Sequence, residues 1–409
     1  MELPVSERRA VTETIALGYK RSDRSAKKTI LDELCTLTGW HRDNARKALR
    51  QALVFKEVKP RPPRPPIYGD EVIEALRFCW AVQATPCGRL LKAAMPDLVT
   101  RLRQFKELDI DDDTATKLLK IAPATIDRRL KTDRVKLDPQ VRPHTKPGSL
   151  AKTSIPMRAC AEWDYARPGF VEIELVSHEG GNSSGEFCFT LDITDMATGW
   201  TETRSMKNKA QKSVLAAIKE ATDSFPFPIL GVASDNGFEF INWALYRWCD
   251  QENLTLTGFQ SENRKDWAHV EPKNWHIIRQ TVGYHRYDTS GELELLNKIW
   301  ILQRLLTNHF APQQKLVSKE RNGTKTTKKY DKPTTPYQRA LADEGTVEEM
   351  AKTKLIRENK PLNPAAIQRQ IQTITAELLT LTTSKQPPKT QLAIGAKSND
   401  STTQSKRAS

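Results

Sequence analysis

From residue 170 the chain changes its hydrophobic period, and that change narrows its possible folds more than any other feature. Phe170-Val171-Glu172-Ile173-Glu174-Leu175-Val176 alternates toward two faces, Glu186 to Thr194 reads as a second strand, and Thr201-Glu202-Thr203-Arg204-Ser205-Met206 reads as a third. Between the first two lies a loop from His178 to Gly185 that holds Gly180-Gly181. A helix is predicted over 209–223, followed by the apolar strand Ile229-Leu230-Gly231-Val232-Ala233 and a further helix. No internal repeat disturbs this β-β-β-α-β-α order, which predicts a layered α/β domain at the centre of the chain.

The flanks follow a helical period. Ile30, Leu31, Leu34 and Leu37, then Ala45, Ala48 and Leu49, recur at helical spacing, interrupted at Thr38-Gly39. This is the pattern of a helix-turn-helix. Its second helix, starting near His41, would present Arg42, Asn44, Arg46, Lys47 and Arg50, residues suited to base edges and phosphates in a major groove. An ordinary helical hairpin with a solvated basic face is the alternative. The stretch from Asp113 to Leu130 again reads helix, turn, helix, with Arg128 and Arg129 as candidate DNA contacts. Two such units in tandem favour recognition of two DNA segments through effective concentration. Between them, Lys59-Pro60-Arg61-Pro62-Pro63-Arg64-Pro65-Pro66 cannot be helix interior, because proline removes donors and clashes with the preceding turn. It reads as a stiff, extended, basic linker.

Beyond the centre, Glu292 to Phe310 is an amphipathic helix. Lys315 to Lys332 is densely basic, suited to DNA or simply a solvated loop, and a last helix is predicted near 363–381. The boundaries that follow are a helix-turn-helix domain over 1–58, a Pro/Arg linker over 59–68, a second helical domain over 69–137 and a connector over 138–167. After them come the central domain over 168–312, a basic, mainly helical or irregular region over 313–382, and a disordered tail over 383–409.

A formal charge of +14 on 409 residues points to a polyanionic partner, since each neutralised phosphate releases counterions. No apolar run of about 18 residues occurs, which argues against a spanning helix, and the first residues lack the basic-then-apolar order of a signal peptide. The expectation is a cytoplasmic, nucleoid-associated protein without a membrane partner. The six cysteines include no Cys-x-x-Cys pair, so neither a zinc ribbon nor a disulfide framework is indicated.

Two short motifs carry the chemistry. Ser234-Asp235-Asn236-Gly237-Phe238-Glu239-Phe240 follows the end of the apolar strand, and His269-Val270-Glu271-Pro272-Lys273-Asn274-Trp275 opens a helix with basic and aromatic residues. A carboxylate at a strand end and another on a helix face can share divalent ions, the arrangement used to cut or join nucleic-acid strands. With Pro168 to His178, Thr194 to Trp200, Gly283 to Tyr287 and Tyr330 to Tyr337, these motifs resemble the integrase-type DDE transposases of bacterial insertion sequences over residues 25–370. Those enzymes share the catalytic-core superfamily of retroviral integrases.

The resemblance implies a ribonuclease H-like core, a mixed five-stranded sheet with helices on both faces, between N-terminal all-α helix-turn-helix modules and a C-terminal region. It also implies a polynucleotidyl transferase acting on double-stranded DNA, both transposon ends and target, as a homo-oligomer with two Mg²⁺ or Mn²⁺ ions. Asp235 matches the second acid and Glu271 the third, and Lys273 is a candidate DNA contact. At the first position the family carries aspartate and this chain carries Glu174, one methylene longer. That departure leaves open a catalytically impaired or repurposed transposase acting as a DNA-binding protein. Two other acids could stand in its place: Asp164, which precedes the strand and reads as capping or positioning the connector, and Asp195, against a reading as a turn-forming aspartate bonded to local backbone donors.

Overall fold

The computed structural model describes residues 4–54, 67–137, 167–234, 243–258 and 274–385. It divides into two compact units, Met1–Ile67 and Tyr68–Ser409. The Pro/Arg run, all of the connector but Arg167, and the tail from residue 386 lie outside the described residues, as do Asp164, Asp235, Glu271 and Lys273.

Over its described residues the first unit is three helices, α1 (Val5–Arg21), α2 (Arg24–Thr38) and α3 (Arg42–Ala52). Asp23 caps α2 by accepting from the Ala26 amide at 2.8 Å. Gly39 closes it at φ +67°, a left-handed conformation that suits glycine at a helix end. The break expected at Thr38-Gly39 is therefore a tight turn into α3. Leu31, Leu34, Ala45 and Leu49 meet Ala16 of α1 in a small core, α1 being a helix the sequence reading did not propose.

The second unit opens with α4 (Asp70–Val82), α5 (Gly88–Gln104), α6 (Asp112–Lys120), α7 (Pro123–Arg129) and α8 (Lys131–Leu137). Leu76, Leu91, Met95, Leu98, Leu102, Leu118, Ile126 and Leu130 fill their common core. The helix, turn, helix over 113–130 is α6 and α7, with Asp111 capping the Thr114 amide at 2.8 Å and Pro123 starting α7, where a missing N–H costs nothing. Gly88 is required by close approach: a Cβ there would sit 2.3 Å from the Pro123 carbonyl oxygen.

The central sheet comprises β1 (Phe170–Ser177), β2 (Phe189–Asp195), β3 (Thr201–Met206), β4 (Gly231–Ser234) and β5 (Thr255–Gly258) in the order β3-β2-β1-β4-β5. β1 runs antiparallel to β2 and parallel to β4, β2 is antiparallel to β3, and β4 is parallel to β5. This mixed five-stranded order agrees with the ribonuclease H-like expectation. The helices α9 (Gln211–Thr222) and α10 (Trp243–Gln251) cover one face, where Val171, Ile173, Leu191, Ile193 and Val232 pack with Val214, Ile218, Leu245 and Trp248. The amphipathic helix expected over 292–310 is α11 (Ser290–Leu305), which continues as a π-helical turn, Leu306–Phe310. A capping box between Thr289 and Glu292 starts it.

The basic segment after it is not irregular. It forms a two-stranded hairpin, β6 (Leu316–Asn322) and β7 (Lys325–Tyr330), followed by α12 (Pro336–Ala342), α13 (Glu349–Asn359) and α14 (Pro364–Ser384). The C-terminal helices return to the helical module: Arg369 pairs with Glu107 at 2.7 Å, Asn363 donates to the same carboxylate, and Ala365 enters the core of α4–α8.

Candidate active site and nucleic-acid interface

Alternation along β1 puts Val171 and Ile173 on the apolar face and Glu172 and Glu174 on the other. Across the antiparallel ladder Glu174 stands opposite Asp192 and Glu172 opposite Thr194, so three carboxylates share one face of adjacent strands. Asp192 is fully buried and accepts from Thr194 Oγ1 at 3.4 Å, Glu172 is buried and Glu174 half-buried. On the other side of β1, Ile173 pairs with Ser234 of β4, the last described residue before Asp235. Among the described residues no group of three or more His, Cys, Asp or Glu side chains forms a metal-holding cluster.

Asp192 was not among the expected acids. In the sequence it is one polar residue inside an apolar run, and its position beside Glu174 emerges only when the β1–β2 register is known.

Asp195 takes the structural role. Its Oδ2 accepts from the Thr198 amide and hydroxyl, both at 2.7 Å, and its Oδ1 accepts from the Gly169 amide at 2.8 Å. Complete burial pushes its carboxyl up, while these bonds and the nearby Lys315 pull it down. Lys315 Nζ itself donates to the Ala197 carbonyl at 2.7 Å, so the turn at 195–200 is held from two sides. A carboxylate accepting three local bonds is a turn anchor.

Arg279, close to Glu271 in sequence, is a fastener of the sheet. It donates to the Ser177 carbonyl at 2.7 Å, and its guanidinium lies 4.7 Å from the Tyr284 ring centroid. Burial lowers its pKa.

In the first unit, Ala45 and Leu49 turn α3 toward its core and leave Asn44, Arg46, Lys47 and Arg50 exposed and Arg42 half-buried. Arg42 pairs with Asp32 of α2, and Arg46 with Asp43 at 3.3 Å. These exposed pairs are weak, so the guanidinium groups stay available to a stronger anion. Arg128 and Arg129 are exposed in the last turn of α7.

No helix of the described residues is long and apolar enough to cross a membrane. No protein-family model matches the chain. It is 35% identical over 344 residues to the "Uncharacterized protein y4rM" of Sinorhizobium fredii (strain NBRC 101917 / NGR234), covering 82% of this chain and 96% of that protein. Among solved structures it is similar to the catalytic core domain of BIV integrase, at 15% identity and a TM-score of 0.29, over 42% of this chain and 91% of that one. It is also similar to the HTLV-2 integrase catalytic core domain in complex with magnesium (dimeric form), at 13% identity and a TM-score of 0.28, over 36% and 90%.

Proposed function

We propose that this chain, which belongs to the family of the Sinorhizobium fredii y4rM protein, is an integrase-type transposase that binds transposon-end DNA and catalyses metal-dependent strand cleavage and strand transfer. The observation that carries this reading is the parallel pairing of Ile173 with Ser234, because the residues that follow them in the chain are Glu174 and Asp235. Two acids reached from paired positions on neighbouring central strands are what a shared carboxylate site requires, and Glu271 is the third in this reading.

An all-carboxylate donor set suits a hard divalent cation. Magnesium or manganese, two ions held by Glu174, Asp235 and Glu271, would supply charge stabilisation to the phosphoryl oxygens and acidity to the attacking hydroxyl. The chain's own part is to hold Glu174 on a rigid sheet, beside the strand end at Ser234 that Asp235 follows in the chain. Asp192, buried opposite Glu174, places a further carboxyl group beside the first acid. The exposed basic side chains of α3, with Arg128 and Arg129 of α7, hold duplex DNA through phosphates and base edges, and Lys273 adds a contact near the third acid. Function on two ends and a target requires a homo-oligomer on the DNA.

The decisive experiment is Mg²⁺-dependent cleavage and strand transfer on an end-bearing duplex. Asp235→Asn and Glu271→Gln are expected to lose both reactions while keeping end binding, and full turnover by either would remove that residue from the site. Glu174 distinguishes a working from a handicapped enzyme. Displacement of a catalytic group by about 1 Å can cost about 10²-fold, so Glu174→Asp is expected to raise the rate and Glu174→Gln to end it. If the parent and all variants are inert with Mg²⁺ and Mn²⁺, the chain is a repurposed transposase that acts by binding DNA. Arg42→Ala with Arg46→Ala tests that binding, with weakened end affinity expected.

A further inference from the structure

The basic segment after the core is an exposed two-stranded ribbon. Gln313 and Thr334 exchange backbone hydrogen bonds at its base, at 3.0 and 3.1 Å. There Asp331 accepts from the Lys315 amide at 2.6 Å and from Arg339 at 2.8 Å. Gly323, at φ +60°, opens a two-residue turn between the paired Asn322 and Lys325, the backbone form that matches the strand twist. Every residue from Lys319 to Tyr330 is exposed.

Two strands with no apolar face are marginal in water, and the cross-strand register here adds a cost. Lys319 lies directly opposite Lys328, a like-charge pair that disfavours pairing. Alternation then sorts the side chains. One face carries Lys319, Arg321, Thr326 and Lys328 and no acid; the other carries Glu320 together with Lys325 and Lys329.

We propose that the acid-free face of this hairpin lies along the sugar-phosphate backbone of duplex DNA, independently of sequence. The inference rests on the reading of the chain as an enzyme of duplex DNA. A polyanion complements a ribbon face that carries two lysines, an arginine and no acid of its own. A two-stranded ribbon fits a major groove about 12 Å wide. With lysine, arginine and threonine alone on this face, it grips phosphates and leaves sequence reading to the helices.

The test uses the full chain. Lys319→Gln, Arg321→Gln and Lys328→Gln are combined, and binding to a duplex of arbitrary sequence is followed over a salt series beside the parent and a Lys325→Gln/Lys329→Gln variant. The thermal transition is recorded for all three to show that the exposed changes leave the fold intact. Each lost phosphate contact flattens the log affinity against log salt plot by about 0.9. The triple variant is expected to lose two to three such contacts on any duplex sequence, and the double variant at most one. An unchanged slope in the triple variant, or equal loss in both variants, overturns the hairpin assignment while the parent's DNA binding stands. A parent that binds no duplex at any salt overturns the broader reading and this inference with it.

Discussion

On one face of the central sheet Val171, Ile173, Leu191, Ile193 and Val232 lie against α9 and α10; on the other, Thr190, Asp192, Thr194, Thr201, Thr203 and Ser205 lie as deeply buried. The first face is held by removal of apolar surface from water, which is indifferent to direction. The second can be buried only if its hydroxyls and carboxylates are satisfied, because each unmatched polar group carries its full desolvation cost. Side chains of α11 and its π-helical turn bond backbone groups of β3 and one hydroxyl of that face. Asn297 and Asn308 each bond both the amide and the carbonyl of one β3 residue, Ser205 and Thr201, at 2.8 to 3.1 Å. They act as a neighbouring strand would and close that edge of the sheet. Trp300 Nε1 donates to Ser205 Oγ at 2.7 Å, Ser205 bonds Thr190, and Thr190 bonds His178 Nε2, each also at 2.7 Å. Glu172, Glu174 and Asp192 thus stand on the face whose order is set by directional bonds.

If that contrast is right, the apolar face responds to volume. Ile193→Ala is expected to cost about 2–5 kcal/mol in reversible denaturation, the range for a fully buried aliphatic truncation. A loss under about 1 kcal/mol would show that α9 and α10 do not carry the fold.

The polar face responds to bonding. Ser205→Ala removes little volume but strips the Trp300 indole N–H of its acceptor and Thr190 of a partner, for a cost of about 1–3 kcal/mol. Trp300→Phe then removes the orphaned donor, so the double variant should be less damaged than the sum of the two. Additivity within about 0.5 kcal/mol would mean that the chain of bonds does not act as a unit.

How much of this was legible in the sequence follows the same division. Where one face is apolar, periodicity fixed the element: the strand read over Phe170 to Val176 is β1, Phe170–Ser177, and the helix expected over 209–223 is Gln211–Thr222. Thr38-Gly39 marked the turn before α3 because glycine suits the left-handed geometry. The hairpin was missed because a ribbon exposed on both faces shows no apolar alternation, leaving Asn322-Gly323 as its main signal. Helix α1 was not proposed although Val11, Ile15 and Tyr19 line up at helical spacing beside Ala16; that stripe is narrow and only partly buried. Nothing local to the threonines of β2 and β3 reveals that α11 and its π-helical turn will bond to that part of the sheet. Glu174 was identified through resemblance and Asp192 only through register, while Asp235 and Glu271 lie outside the described residues.

The smallest expected effect reports on pH. His178 is fully buried, and burial, helped by the positive charge of Arg279, holds its pKa down at about 3. His309, beside Arg304 and Arg101 and bonded to Asn359 at 3.0 Å, is lowered in the same way to about 4. In the unfolded chain both imidazoles return to the usual value near 6.5. Above that pH neither state is protonated and the histidines contribute no pH dependence. Below it the unfolded chain takes up protons that the folded chain refuses until pH approaches 4 or 3, so stability falls as pH falls through that window. Each histidine should contribute about 1.4 kcal/mol per pH unit between roughly pH 6 and 5, above the range where most carboxylates titrate. The measurement is denaturant unfolding at pH 7, 6 and 5 for the parent and for His178→Gln. That variant weakens the fold at every pH and should flatten the dependence by about half. A slope identical to the parent's would show that His178 is not held neutral, and that the bonded chain from His178 to Trp300 does not exclude the proton.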